Sequence, residues 1–146
     1  MRELQTSIEI QAEPERVWEV LTDGAAYPEW NPFIRRLEGA LEPGGKLEVR
    51  IEPPDRRAMT FRPRVLTVEP NRELRWLGSL LFRGLFDGEH ALLIEPLGAA
   101  RVRFVQRERF TGALVPFFGK GLAATRVGFE RMNLALKTRS EAGASS

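Results

Sequence analysis

From Ile34 to Phe110 the chain alternates apolar and polar residues in segment after segment, and only afterwards supplies one long helical face. Six segments carry the alternation: Ile34 to Gly39, Lys46 to Glu52, Met59 to Glu69, Glu73 to Leu80, Gly84 to Glu95 and Arg101 to Phe110. They follow one another at about the 8 to 12 residue spacing of an antiparallel sheet. Between them EPGG (42–45), EPNR (69–72) and PLGAA (96–100) place Gly, Pro or Asn where a tight reversal wants them. Pro53, Pro54 and Pro63 blur the strand boundaries, because proline donates no ladder hydrogen bond. Leu114, Phe117, Phe118, Leu122, Thr125, Phe129, Met132 and Leu136 then mark one face of a helix reaching to about Arg139. Its length is about 39 Å at ~1.5 Å per residue. Such a rod covers only a strip of a wide, twisted sheet. Part of the concave face is left over, to be filled by bulky side chains or by a ligand.

The first thirty residues add one strand and two short helices. Leu4, Thr6, Ile8 and Ile10 alternate with Glu3, Gln5, Ser7 and Glu9, which predicts a strand with one buried face from about Glu3 to Gln11. In AEPERVWEVLTDG, Pro14 suits a first helical position, Val17, Trp18 and Leu21 fall at helical spacing, and Gly24 can close the C-terminus. A second turn over Ala25 to Trp30 ends before Pro32. The order is strand, two short helices, six strands, one long helix: an α+β chain with seven antiparallel strands. The stretch YPEWNPF (27–33) packs three aromatic rings and two prolines into seven positions. It reads as the second short helix and its exit, with Trp30 and Phe33 capping the open end of the hollow; the alternative is that they plug the core.

The alternation also fixes which side chains look inward. Val102, Phe104, Gln106, Glu108 and Phe110 share one face of the last strand, and Arg101, Arg103, Val105, Arg107 and Arg109 the other. Long cationic side chains are seldom fully buried, so the arginine face is the solvated one. By the same reasoning His90 points inward with Leu92 and Ile94, and Trp76 with Leu74. The candidate ligand-binding wall therefore holds Trp76, Leu92, Phe104, Phe129 and Met132, with Trp30, Phe33, Phe117, Leu122 and Thr125 from the helices and their connections. His90, Gln106 and Glu108 are set into it as the polar groups. A mostly apolar hollow with a few placed polar groups is the chemistry of a small-molecule site. The alternative is that these three simply hydrogen-bond one another or the long helix. His90 and Glu108 are also the candidate acid–base pair, because imidazole titrates near neutrality and a buried carboxyl can be raised toward it. Gly119, Gly121 and Gly128 each cost about 1 kcal/mol against alanine inside a helix. A close helix-to-sheet approach, or room at a pocket mouth, would offset that.

Composition excludes several classes. The 146 residues suit one domain, expected over 1–139, with SEAGASS (140–146) as a flexible polar tail. Lys and Arg number 22 against 20 Asp and Glu, a net charge of +2 with both signs interspersed, which argues against a nucleic-acid partner. Cysteine is absent and His90 is the only histidine, so no disulfide, thiolate site or zinc centre is expected, and no cofactor. No window approaches about 18 uncharged apolar residues, so no transmembrane segment is expected, and the cytoplasm is the expected compartment.

The residues also resemble a known family. Ile8-x-Ile10-x-Ala12-x-Pro14-x-x-Val17-Trp18-x-x-Leu21-x-Asp23, then Tyr27-Pro28-x-Trp30-Asn31-Pro32-Phe33, Gly88-Glu89-His90 and Glu108-x-Phe110-x-Gly112 are similar to the SRPBCC or START-like (Bet v 1-like) superfamily. Within it they resemble the bacterial polyketide cyclase/dehydrase-like branch, over nearly the whole chain to about Lys137. The resemblance implies a helix-grip fold, a seven-stranded antiparallel sheet wrapped around the C-terminal helix, and a deep hydrophobic cavity. Members bind lipids, sterols, polyketides or aromatic compounds, and some are cyclases while others are carriers. Without cysteine the resemblance does not extend to the ring-hydroxylating members. The expected function is non-catalytic binding of a hydrophobic small molecule between sheet and helix. A cyclase, dehydratase or hydrolase using His90 and Glu108 is the second expectation. A co-chaperone-like protein-binding module using Phe82, Leu85 and Phe86 is the third, those residues serving equally as a cavity rim or a homodimer contact.

Overall fold

The alternation at the N-terminus becomes strand β1, Arg2–Ile10, in the computed structural model, which describes residues 2–80 and 82–144. Leu4, Thr6 and Ile10 are buried while Glu3, Gln5 and Glu9 stay exposed. Helix α1, Pro14–Thr22, starts on a proline, whose missing N–H would have been unsatisfied anyway, and buries Val17, Val20 and Leu21. Gly24 does not close this helix as expected: it opens a 3-10 turn, Gly24–Ala26. A side chain there would run into the Leu37 carbonyl, so close approach to the sheet explains the glycine. Helix α2, Tyr27–Trp30, is a single turn. Asn31 ends it, its Oδ1 accepting from the amides of Phe33 at 2.9 Å and Ile34 at 2.8 Å and steering the chain into the next strand.

Seven more strands follow: β2 Ile34–Gly39, β3 Leu47–Ile51, β4 Met59–Phe61, β5 Arg64–Glu69, β6 Glu73–Ser79, β7 Asp87–Gly98 and β8 Arg101–Thr111. The expected seven-stranded sheet is corrected to eight strands in two antiparallel sheets, one ordered β1-β8-β7-β6-β5 and the other β2-β3-β4. The expected strand Met59 to Glu69 breaks at Pro63, which has no amide to give, so β4 pairs with β3 while β5 pairs with β6. The sheets remain stitched at this corner: Leu47 N donates to Pro63 O at 2.9 Å and Val65 N to Gly45 O at 2.8 Å. Strand β7 starts at Asp87 instead of Gly84, because Gly84 turns with φ 93° and its amide is held by the Asp87 carboxylate at 3.0 Å.

Helix α3, Gly119–Ala144, follows a 3-10 turn over Val115–Phe117, so its regular part begins five residues after the expected Leu114. The expected flexible tail is likewise corrected as far as Ala144. The helix runs on, Ser140 is buried, and the Glu141 carboxylate accepts from Gln11 N at 2.8 Å and Lys137 Nζ at 2.6 Å. The last two residues of that tail, 145 and 146, lie outside the described residues. Along its length α3 follows β1, the edge of the larger sheet, with Arg126 donating to Gln5 O at 3.2 Å and Lys137 to Glu9 O at 3.1 Å. These donors occupy carbonyls that an open edge would offer to another chain. Phe129, Met132 and Leu136 are fully buried against the sheets, each worth roughly 1.5–3 kcal/mol. The first half of α3 is different: Gly121 brings no side chain to the same surface, which there receives only Leu122 and Thr125 at the cavity, while Gly119 and Ala123 are exposed.

Candidate functional site

Strand register sets the interior in three rows. Leu74 on β6 lies opposite Leu92 on β7, which lies opposite Gln106 on β8, which lies opposite Thr6 on β1. One step toward the other end the row is Trp76, His90, Glu108 and Leu4. The next step is Gly78, Gly88 and Phe110. Two facing glycines delete two side chains from the concave face, under the half of α3 that has little to offer. The result is a cavity of about 320 Å³. Phe33, Ile51, Trp76, Phe86 and Phe110 form much of its apolar wall, and α3 contributes Gly121, Leu122 and Thr125. It opens to solvent where its lining becomes exposed, at Arg56, Arg57 and Met59 on the β3–β4 connection and its far end.

Polar groups divide between the rows. Gln106 is fully buried and fully engaged: its Nε2 donates to Asn133 Oδ1 at 2.7 Å and to Phe129 O at 3.2 Å, and its Oε1 lies 3.0 Å from His90 Nε2. Because both neighbours of Nε2 are acceptors, Oε1 must be the acceptor on the other side, so His90 carries its proton on Nε2. Asn133 Nδ2 donates in turn to Thr6 Oγ1 at 3.0 Å, anchoring the relay in β1. The lone pair of His90 Nδ1 then faces the carboxyl of Glu108, whose Oε1 is 3.9 Å away. The imidazole is clamped between Trp76, edge-on at 5.2 Å, and Phe129, stacked at 4.9 Å. Burial holds His90 down at about 4, against the opposing Gln106 hydrogen bond, and burial pushes Glu108 up to about 8. At neutral pH both are uncharged, one with a proton to give and one with a lone pair to receive. Gly88 makes this possible, since a Cβ there would occupy the place of Glu108 Oε2.

Of the expected site residues, Phe33, Trp76, His90, Glu108, Leu122 and Thr125 line the cavity. Leu92, one row behind, Phe104, two rows behind, and Met132 on α3 do not: they are fully buried in the closed core. Gln106 and Phe129 touch His90 without reaching the cavity. Trp30 packs edge-on against Tyr27 at 5.1 Å, away from the cavity, and Phe117 is turned outward, 80% exposed. The YPEWNPF rings therefore do not cap an open end. Tyr27 is buried with its hydroxyl donating to Leu21 O at 2.6 Å, and Phe33 is an inner wall seated on Gly128, whose missing side chain its ring replaces. The expected apolar surface at 82–86 also dissolves, since Phe86 turns inward onto Phe118 at 4.5 Å and Leu85 is half-buried, leaving Phe82 exposed. The sequence reading places Phe110 on the inner face but not among the candidate wall residues, and does not single out Gly78 and Gly88 as cavity positions, although the alternation that sends Trp76, His90 and Glu108 inward sends them inward too. Ile51 carried the same signal, in step with Leu47 and Val49, whereas Arg56 and Arg57 carried none.

The sequence matches the family described as polyketide cyclase / dehydrase and lipid transport over residues 1–141. The Zhui aromatase/cyclase from Streptomyces sp. R1128 has a similar fold, with TM-score 0.77 and 18% identity over 96% of this chain and 93% of that one. A START superfamily protein from Mycobacterium smegmatis gives 0.73 and 22% over 95% and 97%. The di-domain ARO/CYC StfQ from the steffimycin biosynthetic pathway gives 0.74 and 16%, over 99% of this chain and 52% of that one. No curated protein matches the sequence.

Proposed function

Because the chain belongs to the polyketide cyclase / dehydrase and lipid transport family, we propose that it binds a hydrophobic small molecule, of lipid, polyketide or aromatic type, in the cavity floored by Gly78 and Gly88. The observation that carries this is the contrast inside the cavity: apolar walls, and at one spot an uncharged carboxyl and an uncharged imidazole. Glu108 O–H donates to a carbonyl or hydroxyl oxygen of the ligand, and His90 Nδ1 accepts from a hydroxyl. A neutral oxygen function is matched there, whereas a carboxylate would be desolvated without a counter-charge. Titration with N-phenyl-1-naphthylamine, a neutral fluorescent apolar probe, together with native mass spectrometry of the purified protein, tests the reading. Saturable one-to-one uptake is expected; absence of uptake overturns it.

An enzymatic role is the second reading, favoured by the 3.9 Å approach of Glu108 to His90 and by their complementary protonation. With a ketone bound, Glu108 gives its proton to the carbonyl oxygen while His90 Nδ1 removes a proton from the α-carbon, yielding the enol, a carboxylate and an imidazolium. Exchange of the α-hydrogens of a bound aryl ketone in deuterium oxide, lost in His90→Phe, reports this step. Retained probe binding without exchange leaves the chain a binding module.

A further inference from the structure

Two guanidinium groups stand where the cavity meets solvent. Arg56 and Arg57 line it from the loop between β3 and β4, together with the buried Pro53 of the same loop. Arg56 N donates to Pro53 O at 3.2 Å, so a closed turn ties the pair to the wall. Both side chains are exposed, and among the described residues neither forms an ion pair. Glu52, on the same loop, is engaged by Arg35 at 3.5 Å, and Asp55, held at φ 58°, forms no ion pair with either arginine. Elsewhere on the lining, the start of α3 brings Gly121 and Leu122, and its first turn contains Lys120 and no acidic residue. The unpaired amides of a helix start add to the positive potential there. Among the described residues the one carboxyl on the cavity lining is Glu108, a neighbour of His90 in the row behind the glycines.

Polarity therefore runs from a cationic mouth, through an apolar barrel, to a neutral hydrogen-bonding spot. We infer that the ligand is an amphiphile that enters apolar part first and leaves an anionic end group, carboxylate or phosphate, on Arg56 and Arg57. Planar guanidinium groups take both anions through paired N–H donors. The opposite orientation would press the anion against Trp76, His90 and Glu108, where no positive charge meets it. This inference rests on the binding reading given above, and the experiment separates the two.

The test displaces N-phenyl-1-naphthylamine with three ligands sharing one chain: 1-dodecanol, dodecanoate and dodecyl phosphate, each below its aggregation limit. In the unaltered protein the anions displace the probe at concentrations lower than the alcohol by about tenfold. In the double substitution Arg56→Gln, Arg57→Gln that ratio falls toward one, and about 0.5 M sodium chloride shrinks it in the unaltered protein. Circular dichroism confirms that the double variant is folded, as substitutions at exposed positions should leave it. A ratio near one in the unaltered protein, or a tenfold ratio that survives in the double variant, overturns the anionic end while leaving cavity binding intact. Failure of the probe itself to bind removes both.

Discussion

Gln106 and Glu108 sit two residues apart on the same face of β8, and they have opposite fates. Gln106 belongs to the closed end of the interior, where every hydrogen-bonding atom of its amide has a protein partner and α3 packs through Phe129, Met132 and Leu136. Glu108 belongs to the open end, where among the described residues its carboxyl makes no hydrogen bond and His90 Nδ1 stands 3.9 Å from its Oε1. It lies over a glycine and its side chain is 17% exposed, to the cavity. A buried polar group that is satisfied is part of the architecture. One that is left unsatisfied beside empty space is available to something from outside. The two ends of α3 repeat the lesson in apolar terms, volume at one end and its absence at the other.

The sharpest way to break this contrast is to remove volume at each end. Phe129→Ala takes a fully buried ring from between His90 and Phe33, and should cost about 3–5 kcal/mol in urea unfolding. Leu122→Ala, beside space that already exists, should cost less, about 1–2 kcal/mol, because its neighbours on the cavity side are already missing. Equal costs would mean that the cavity is closed in solution.

A pH titration of stability probes the polar half of the comparison. The folded Glu108 carboxyl titrates near 8 against an ordinary 4.5, so the folded state keeps a proton that the unfolded chain releases. Its contribution is full below pH 4.5 and is lost as pH rises to 8. His90, near 4 against 6.5, acts with the opposite sign, costing stability as pH falls from 6.5 to 4. Between 4.5 and 6.5 the two cancel. From 6.5 to 8 Glu108 acts alone, a loss of about 2 kcal/mol at ~1.4 kcal/mol per pH unit. Glu108→Gln should flatten that window, whereas Gln106→Glu would steepen it. A wild-type profile already flat from 6.5 to 8 would place Glu108 in water.

What the sequence made legible follows from period and register. Alternation placed Trp76, His90, Gln106 and Glu108 inside from residue types alone, and helical spacing found the buried face of α3. The split into two sheets was not legible, because it depends on which partner claims the backbone on either side of Pro63, a choice made by tertiary contacts. Leu92, Phe104 and Met132 could not be told from cavity residues, since an apolar side chain on the inner face looks the same whether it touches a neighbour or a void. The void is written instead in absences, at Gly78 and Gly88, which a search for chemistry-bearing side chains passes over. Arg56 and Arg57 lie on a loop, where no periodicity constrains direction.

Gly88→Ala tests that reading of absences with a smaller effect. The new methyl meets the mobile end of Glu108 and no backbone, so the fold should hold to within about 1 kcal/mol. The carboxyl must swing away from His90 into the cavity, and affinity for N-phenyl-1-naphthylamine should fall by about tenfold. Unchanged affinity would show that the probe sits elsewhere.

The smallest effect belongs to the residue that helical spacing misplaced. Phe117 lies in the 3-10 turn ahead of α3, and its ring stands in solvent while its neighbour Phe118 packs on Phe86. Removing an exposed ring forfeits almost no burial, so Phe117→Ser should change unfolding free energy by less than about 0.5 kcal/mol. Phe118→Ser strips the cavity wall of an aromatic contact and should cost about 2 kcal/mol or more. Differential scanning of the pair decides between this turn and a helix begun at Leu114, because only the latter would bring Phe117 onto the buried face beside Phe118 and raise the cost of Phe117→Ser toward that of Phe118→Ser.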